Sequence, residues 1–408
     1  MYVCPRAHEW GHYSDRTRSE IESLLRAGGE VALLTFQGLR DGKLPPNVNH
    51  YTVLKPGSLL SVLIERLSAL KLFYYAKHLF YQAACILYAI RIVKRHKYDF
   101  LYLLNGDPYM FLPFLSSLFL KNIRWILIMM TPFYGMKGSF RHGYPRSMDL
   151  YRRCQNLSLW GSVYRTAMQR NRFTIVGHDE LTVNAWSSFM DGVLAGHVYL
   201  IPWGYNLAQE EVSMSDARKV LGLPTDKTIF LLFGVVHQGR DPETVIEALT
   251  HMPDIIVLQI GFVPPVRHEE LISLVQSLGI GDRYMIVNEW VSEDIKRNYF
   301  FAADAVILSY KEEFLEWPSV LWTACSLKRP IIASDRPSIK SYLQRYGTGL
   351  VFKTSDPHSL RNTINQFLSM SSSEIKAIRQ RASDLAQDSS SDNSARLLVD
   401  ILETQEVI

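Results

Sequence analysis

Ile229-Phe-Leu-Leu-Phe-Gly-Val-Val-His-Gln-Gly-Arg240 reads as an apolar strand ending in a glycine-containing turn and a cation, and a helical pattern follows from Pro242 to Leu249. Farther on, Trp317-Pro-Ser-Val-Leu-Trp-Thr-Ala-Cys-Ser-Leu-Lys-Arg-Pro-Ile-Ile-Ala-Ser-Asp335 starts a helix at Pro318 and runs into another buried strand. Ligands of open parallel sheets bind beyond the carboxyl ends of the strands, where helix N-termini accept phosphate. Both stretches put flexible backbone, a cation or a helix start at such a point.

The same alternation of short apolar runs with amphipathic helices extends over the whole chain, which predicts α/β sheets with parallel strands. In the first half the strands are expected at Met1–Cys4, Val31–Phe36, Phe100–Leu104, Trp125–Met130, Phe173–Val176 and Val198–Ile201. In the second they are expected at Ile229–Phe233, Ile255–Ile260, Tyr284–Val287, Ala305–Leu308, Pro330–Ala333 and Gly349–Val351. Serine-rich turns at Ser369–Glu374 and Asp388–Asn393 bracket one helix, and a last helix is expected from Ser394 to Thr404.

A chain of 408 residues with 47% apolar and 21% charged residues is a folded protein too long for one ordinary core. Cys4, Cys85, Cys154 and Cys325 are far apart and show no metal or redox spacing, which fits reduced thiols in a cytoplasmic setting. The start, Met-Tyr-Val-Cys-Pro-Arg, has no signal-peptide pattern. The net charge of +4 hides an imbalance: residues 1–200 hold 24 Lys and Arg against 13 Asp and Glu, and the rest holds 20 against 27. The basic first half is expected to face something anionic, a membrane surface or a lipid-phosphate acceptor. No nucleic-acid-binding pattern accompanies the charge. Between Ser58 and Lys97 the oily run is interrupted by Lys77 and His78, so it falls short of the roughly 18–20 residues a membrane-spanning helix needs. Its mixture of aromatic and basic residues fits either an interfacial contact or helices packed on the sheet. Phe111 to Leu120 reads as a buried helix.

These motifs, taken in order, resemble the retaining GT-B glycosyltransferases that use nucleotide-diphosphate sugars, the group 1 or family 4-like enzymes. Phe233-Gly-Val-Val-His-Gln-Gly-Arg240 stands in the register of that family's Phe-Gly-x-Ile-Arg-x-x-Lys loop. Leu200-Ile-Pro-Trp-Gly-Tyr-Asn206, Phe301-Ala-Ala-Asp-Ala-Val-Ile-Leu-Ser309, Gly347-Thr-Gly-Leu-Val-Phe352 and Asp356-Pro357 continue the likeness. At the other end Glu9-Trp-Gly-His-Tyr13 and Gly28-Gly-Glu-Val-Ala-Leu-Leu-Thr35 are similar to the family's glycine loop and its following strand. Residues 40–170 match least. The resemblance implies two Rossmann-like domains facing each other across a cleft. An acceptor-binding domain is expected over residues 1–204 and a donor-binding domain over 205–390. A terminal helix over 391–408 would cross back to the first.

The implied reaction moves a sugar from a nucleotide-diphosphate donor to a glycan or lipid-linked acceptor, with retention, in surface polysaccharide assembly. No Asp-x-Asp occurs in the chain, so no metal is expected, and Arg, Lys and helix N-termini must hold the diphosphate. Arg240 takes the place of the family's diphosphate-binding lysine, beside Gly234 and His237, and is expected to act in catalysis. Pro318 would open a helix whose free backbone N–H groups, at Ser319 and Val320, face the phosphates, with the Ser319 hydroxyl beside them. The family's paired glutamates are incomplete here. Glu316 is preferred for contact with the donor sugar and Glu313 stands close behind, whereas the second slot is Thr323 in one register and Leu321 in the other. On the acceptor side Gly11 and His12 follow the first strand, His12 with a catalytic contact, and His178, Asp179 and Glu180 follow another. Those three touch acceptor or cap the next helix. Asp107 and Thr131 are further candidates. Two rival readings stay open: a non-catalytic partner that kept the sheets but lost part of the donor site, and a nucleotide-sugar epimerase.

Overall fold

A computed structural model describes residues 1–7, 13–39, 44–54, 58, 71–104, 111–119, 121–133, 146–158, 160–202, 211–315 and 317–404. They divide into two compact units. One holds the residues up to Pro202 together with those from Ser390 onward, and the other runs from Glu211 to Ser389.

The first unit is built on a seven-stranded parallel sheet of order β3-β2-β1-β4-β5-β6-β7. Its strands are β1 (Tyr2–Cys4), β2 (Ala32–Thr35), β3 (Asn49–Thr52), β4 (Phe100–Leu103), β5 (Arg124–Met129), β6 (Arg172–Gly177) and β7 (Val198–Leu200). The second unit repeats the plan with six strands in the order β10-β9-β8-β11-β12-β13. These are β8 (Thr228–Phe233), β9 (Ile255–Ile260), β10 (Tyr284–Val287), β11 (Ala305–Leu308), β12 (Ile331–Ser334) and β13 (Gly349–Phe352). Each strand order reverses direction once, between β1 and β4 and between β8 and β11. Such a switch point leaves a crevice at the carboxyl ends of its two strands.

Twelve of these strands lie within a residue or so of the expected spans. Strand β3 was not anticipated. Asn49-His-Tyr-Thr52 has no apolar run, two of its residues are exposed, and it sits at the sheet edge, where only one neighbour needs covering. The helix expected from Pro318 begins one residue later, as Ser319–Ser326, and Pro318 caps it in an extended conformation. The helix expected to be buried over Phe111–Leu120 stops at Leu118; it buries Pro113, Phe114 and Ser117 but leaves Phe119 83% exposed. One continuous helix occupies Lys71–His96. Among the described residues no helix is long and apolar enough to cross a membrane.

Aromatic pairs fasten the first unit's sheet to its helices. Phe114 stacks on Phe173 of β6 at 4.3 Å, Phe36 on Tyr81 at 3.9 Å, and Tyr2 on Tyr102 at 4.5 Å between neighbouring strands. The last helix, Ser391–Thr404, packs on the helix Tyr13–Arg26 through Ser19–Ser391 and Arg26–Asp392 contacts, and Ser394 bonds the carbonyl of Pro202. In the second unit Phe230, Val257, Ile307 and Ile332 lead the core on one face of the sheet, which also includes Leu360 and Ile364 from the helix Pro357–Leu368.

Gly234 and Gly261 follow β8 and β9, and their backbones meet. Gly261 has φ +125°, and a Cβ placed on it would lie 2.7 Å from the Gly234 carbonyl oxygen. Gly222 also has positive φ, +66°, but open space around it. Gly261→Ala is therefore expected to lower stability by about 3 kcal/mol, and Gly222→Ala by about 1 kcal/mol, from backbone strain alone. Urea unfolding followed by tryptophan fluorescence checks the order.

Candidate functional site

The β8–β11 switch point gathers the second unit's candidates. After β8 the chain turns through Gly234 (φ +109°) and returns at Arg240, which forms an antiparallel bridge with Tyr310, just beyond β11. That bridge folds the guanidinium inward, and Arg240 is only 8% exposed. Its Nη2 donates to the carbonyl of Phe233 at 2.5 Å, and the charged carbon lies 4.5 Å from the centre of the Tyr310 ring. Its Nε is buried and bonds to none of the described residues.

The adjacent carboxylate does not neutralise it. Asp241 caps the helix Pro242–Leu249, taking bonds from the Thr244 amide at 3.3 Å, the Thr244 hydroxyl at 2.8 Å and Ser355 at 2.7 Å. Among the described residues no carboxylate pairs with Arg240. A buried charge with no counter-ion is costly, and an anion arriving there would relieve the cost.

The helix Ser319–Ser326 begins beside this cation. A Cβ on Gly234 would lie 2.9 Å from Arg240 Nη2 and 3.6 Å from Val320 Cγ2, so the three positions touch. Among the described residues no side chain caps that helix, and its leading amides at Ser319 and Val320 have no partner from within the helix. A bare helix N-terminus and an uncompensated guanidinium thus converge on one spot.

His237 stands alongside, 5.7 Å from the Phe314 ring, with Nδ1 accepting the Gly239 amide at 3.1 Å. Although part of the residue meets solvent, desolvation of the ring and then the Arg240 charge push its pKa down to about 4. The ring thus favours its neutral form, and with Nδ1 accepting, Nε2 carries the proton and can donate. Thr323 is buried and its hydroxyl reaches the Ser319 carbonyl at 3.4 Å, turned along its own helix. Glu313 is half-buried, and both it and Glu312 act electrostatically on Arg336. Glu316 lies outside the described residues. Tyr310 was not singled out from the sequence. Its position two residues past β11, across the switch point from β8, was the available signal.

In the first unit His178 follows β6 and is buried. Its Nδ1 donates to the Ile201 carbonyl at 2.8 Å, which leaves Nε2 to accept from Arg16 Nη2 at 2.8 Å. Burial, then Arg16, pushes its pKa down to about 3. Arg16 also pairs with Glu20, whose other oxygen accepts the hydroxyls of Tyr2 at 2.7 Å and Tyr102 at 2.9 Å. Asp179 is the N-cap of the helix Glu180–Ser187, bonding the Thr182 amide at 3.0 Å and its hydroxyl at 2.6 Å. Of the two roles expected for it, it fills the capping one, while Glu180 is exposed. Thr131 is buried; its hydroxyl accepts the Phe133 amide and its carbonyl accepts the Trp186 indole. Gly11, His12 and Asp107 lie outside the described residues.

Comparison with known proteins matches residues 213–384 to the family described as Glycosyl transferases group 1. The second unit belongs to the group 1 glycosyl transferases. A D-inositol 3-phosphate glycosyltransferase of Xylanimonas cellulosilytica is 23% identical over 181 residues, which are 42% of this chain and 43% of that protein. The match thus spans less than half of that curated relative. Sucrose-phosphate synthase from Thermosynechococcus elongatus superposes with a TM-score of 0.71 at 18% identity, over 100% of this chain and 98% of its own. HepE of Anabaena, solved with UDP and glucose, gives 0.66 at 15% over 98% of each chain. WaaG, described as a glycosyltransferase involved in lipopolysaccharide biosynthesis, gives 0.64 at 14% over 98% of each. At such identities the likeness establishes the fold alone: the chain has the GT-B architecture of two Rossmann-like sheets.

The His178 link carries a pH signature. Its folded pKa, about 3, lies below the ordinary 6.5, so its contribution to stability is complete above pH 6.5 and is lost as pH falls toward 3. His178→Gln is expected to flatten the decline in melting temperature below pH 6.5. Scanning calorimetry of both proteins across that range checks it.

Proposed function

We propose that the second unit seats the diphosphate of a nucleotide-diphosphate sugar between the Arg240 guanidinium and the amides of Ser319 and Val320. The chain then transfers the sugar to a glycan or lipid-linked acceptor. The observation that carries this reading is the buried Arg240, which no carboxylate among the described residues pairs with, beside a helix start that none of their side chains caps. The family match supports it, as does the likeness to HepE, whose structure holds UDP and glucose.

In the proposed reaction the bond from the anomeric carbon to the diphosphate oxygen breaks and the bond to the acceptor oxygen forms. The sugar passes through an oxocarbenium-like state while the leaving diphosphate gains negative charge. Arg240 offers a planar fork to two phosphate oxygens, and the helix N-terminus adds preorganised amides where that charge develops. The Nε2–H of neutral His237 is placed to give one more hydrogen bond. The acceptor proton leaves to a phosphate oxygen of the departing group, on the same sugar face, which gives retention. No divalent ion is assigned a role. Surface polysaccharide assembly is the setting proposed, in keeping with the lipopolysaccharide role named for WaaG.

A second reading, a binding partner without turnover, is favoured by one observation. Neither register supplies the second glutamate, and the Thr323 hydroxyl is directed to the Ser319 carbonyl. A nucleotide-sugar epimerase would bind the same donor.

Nucleotide release from a panel of nucleotide sugars, with and without membrane extract, separates these readings. Acceptor-dependent release that persists in excess chelator is expected. Arg240→Ala should reduce it by about a hundredfold or more, with Arg240→Lys intermediate, both remaining folded. Acceptor-independent interconversion of sugars points to the epimerase, and no release from any donor to the non-catalytic partner. Unaltered turnover in a folded Arg240→Ala protein removes that residue from the mechanism.

A further inference from the structure

A group of basic residues lies at the end of the first unit's sheet where the strands β5 and β6 start, opposite the end of β6 that carries His178. The helix Lys71–His96 contains no Asp or Glu. Tyr81, Cys85, Ile86, Ala89 and Val93 are buried along one side of it. The other side exposes Phe80 (50%) and Leu87 (67%) and continues into exposed Arg91, Lys94 and Arg95. The helix Phe111–Leu118 packs beside it and ends in the exposed Phe119, with Lys121 just beyond.

Positive charge continues along the strand starts. Arg124 opens β5 and Arg172 opens β6 as register partners, and Arg170 donates to the Leu118 carbonyl. Between residues 66 and 178 the only acidic residues in the sequence are Asp99, Asp107 and Asp149, and Asp149 is occupied by Arg152 and Arg153.

Ordinary soluble surfaces intersperse charges of both signs and cover side chains as large as these. Exposed Phe and Leu set among a surplus of Lys and Arg over acidic residues are what an interfacial contact with anionic lipid requires. We propose that this end of the first unit docks on an anionic phospholipid surface. Phe80, Leu87 and Phe119 enter the boundary between headgroups and acyl chains, while Lys94, Arg95 and Lys121 meet lipid phosphates. RNA or an acidic peptide would answer the charges but would leave those three apolar side chains in water. The docking surface is separate from Arg240 and does not rest on the reading of the donor site.

Cosedimentation of the full chain with vesicles tests it, using phosphatidylcholine alone and phosphatidylcholine mixed with phosphatidylglycerol. Binding only to the mixed vesicles is expected, weakened by salt. Lys94→Glu combined with Arg95→Glu should lower it by more than about tenfold. Leu87→Ser combined with Phe119→Ser should lower it at every salt concentration, because that pair removes buried apolar area without altering charge. Both variants should keep the wild-type melting temperature and its shift on adding UDP, so a failure here is distinguishable from a failure of the donor site. Three results overturn the proposal: no binding of the wild type to the mixed vesicles, equal binding by both variants, or displacement from them by poly(U) RNA.

Discussion

A buried guanidinium that no carboxylate among the described residues pairs with governs the electrostatics of the second unit's switch point. Arg240 is held by a backbone carbonyl and an aromatic face, and the neighbouring Asp241 is committed to Thr244 and Ser355. Stranding a charge in this way costs several kcal/mol. The fold sustains it because the bridge to Tyr310 and the contact of Gly234 with Gly261 fix the loop. The positive end of the helix Ser319–Ser326 adds to the same field instead of opposing it. Everything at this switch point favours an anion, and nothing among the described residues supplies one.

The first unit solves the opposite problem at the corresponding end of its sheet. Arg16 is buried there too, but Glu20, two tyrosine hydroxyls and a neutral His178 surround it. Burial pulls the Arg16 pKa down, and Glu20 with the tyrosines more than restores it. That network is internally satisfied and reads as structural support for the loops after β1, β5 and β6. Arg16 and Arg240 therefore differ: the first has a carboxylate partner, and the second has none among the described residues.

Much of this was legible in the sequence, for reasons specific to each element. Parallel strands are covered on both faces, so Ile229–Phe233 and Ile255–Ile260 appear as unbroken apolar runs, whereas the edge strand Asn49–Thr52 gives no such signal. The position of Arg240 followed from the motif, but its orientation depends on Tyr310, seventy residues later, and on Asp241 being engaged elsewhere. The bond of His178 to Arg16 gave no signal in the sequence, because the two are 162 residues apart. Asp179 was legible as a cap because its partner Thr182 is local. The glutamates defeated spacing arguments, since Pro318 and Pro330 imply different registers and the structure places only Glu313 of the two favoured residues.

The most direct test is a crystal structure of the chain soaked with a nucleoside diphosphate. The account predicts density for the diphosphate within hydrogen-bond reach of the Arg240 guanidinium, with further phosphate oxygens on the amides of Ser319 and Val320. A diphosphate bound elsewhere, with Arg240 touching only the Phe233 carbonyl and the Tyr310 ring, would contradict it.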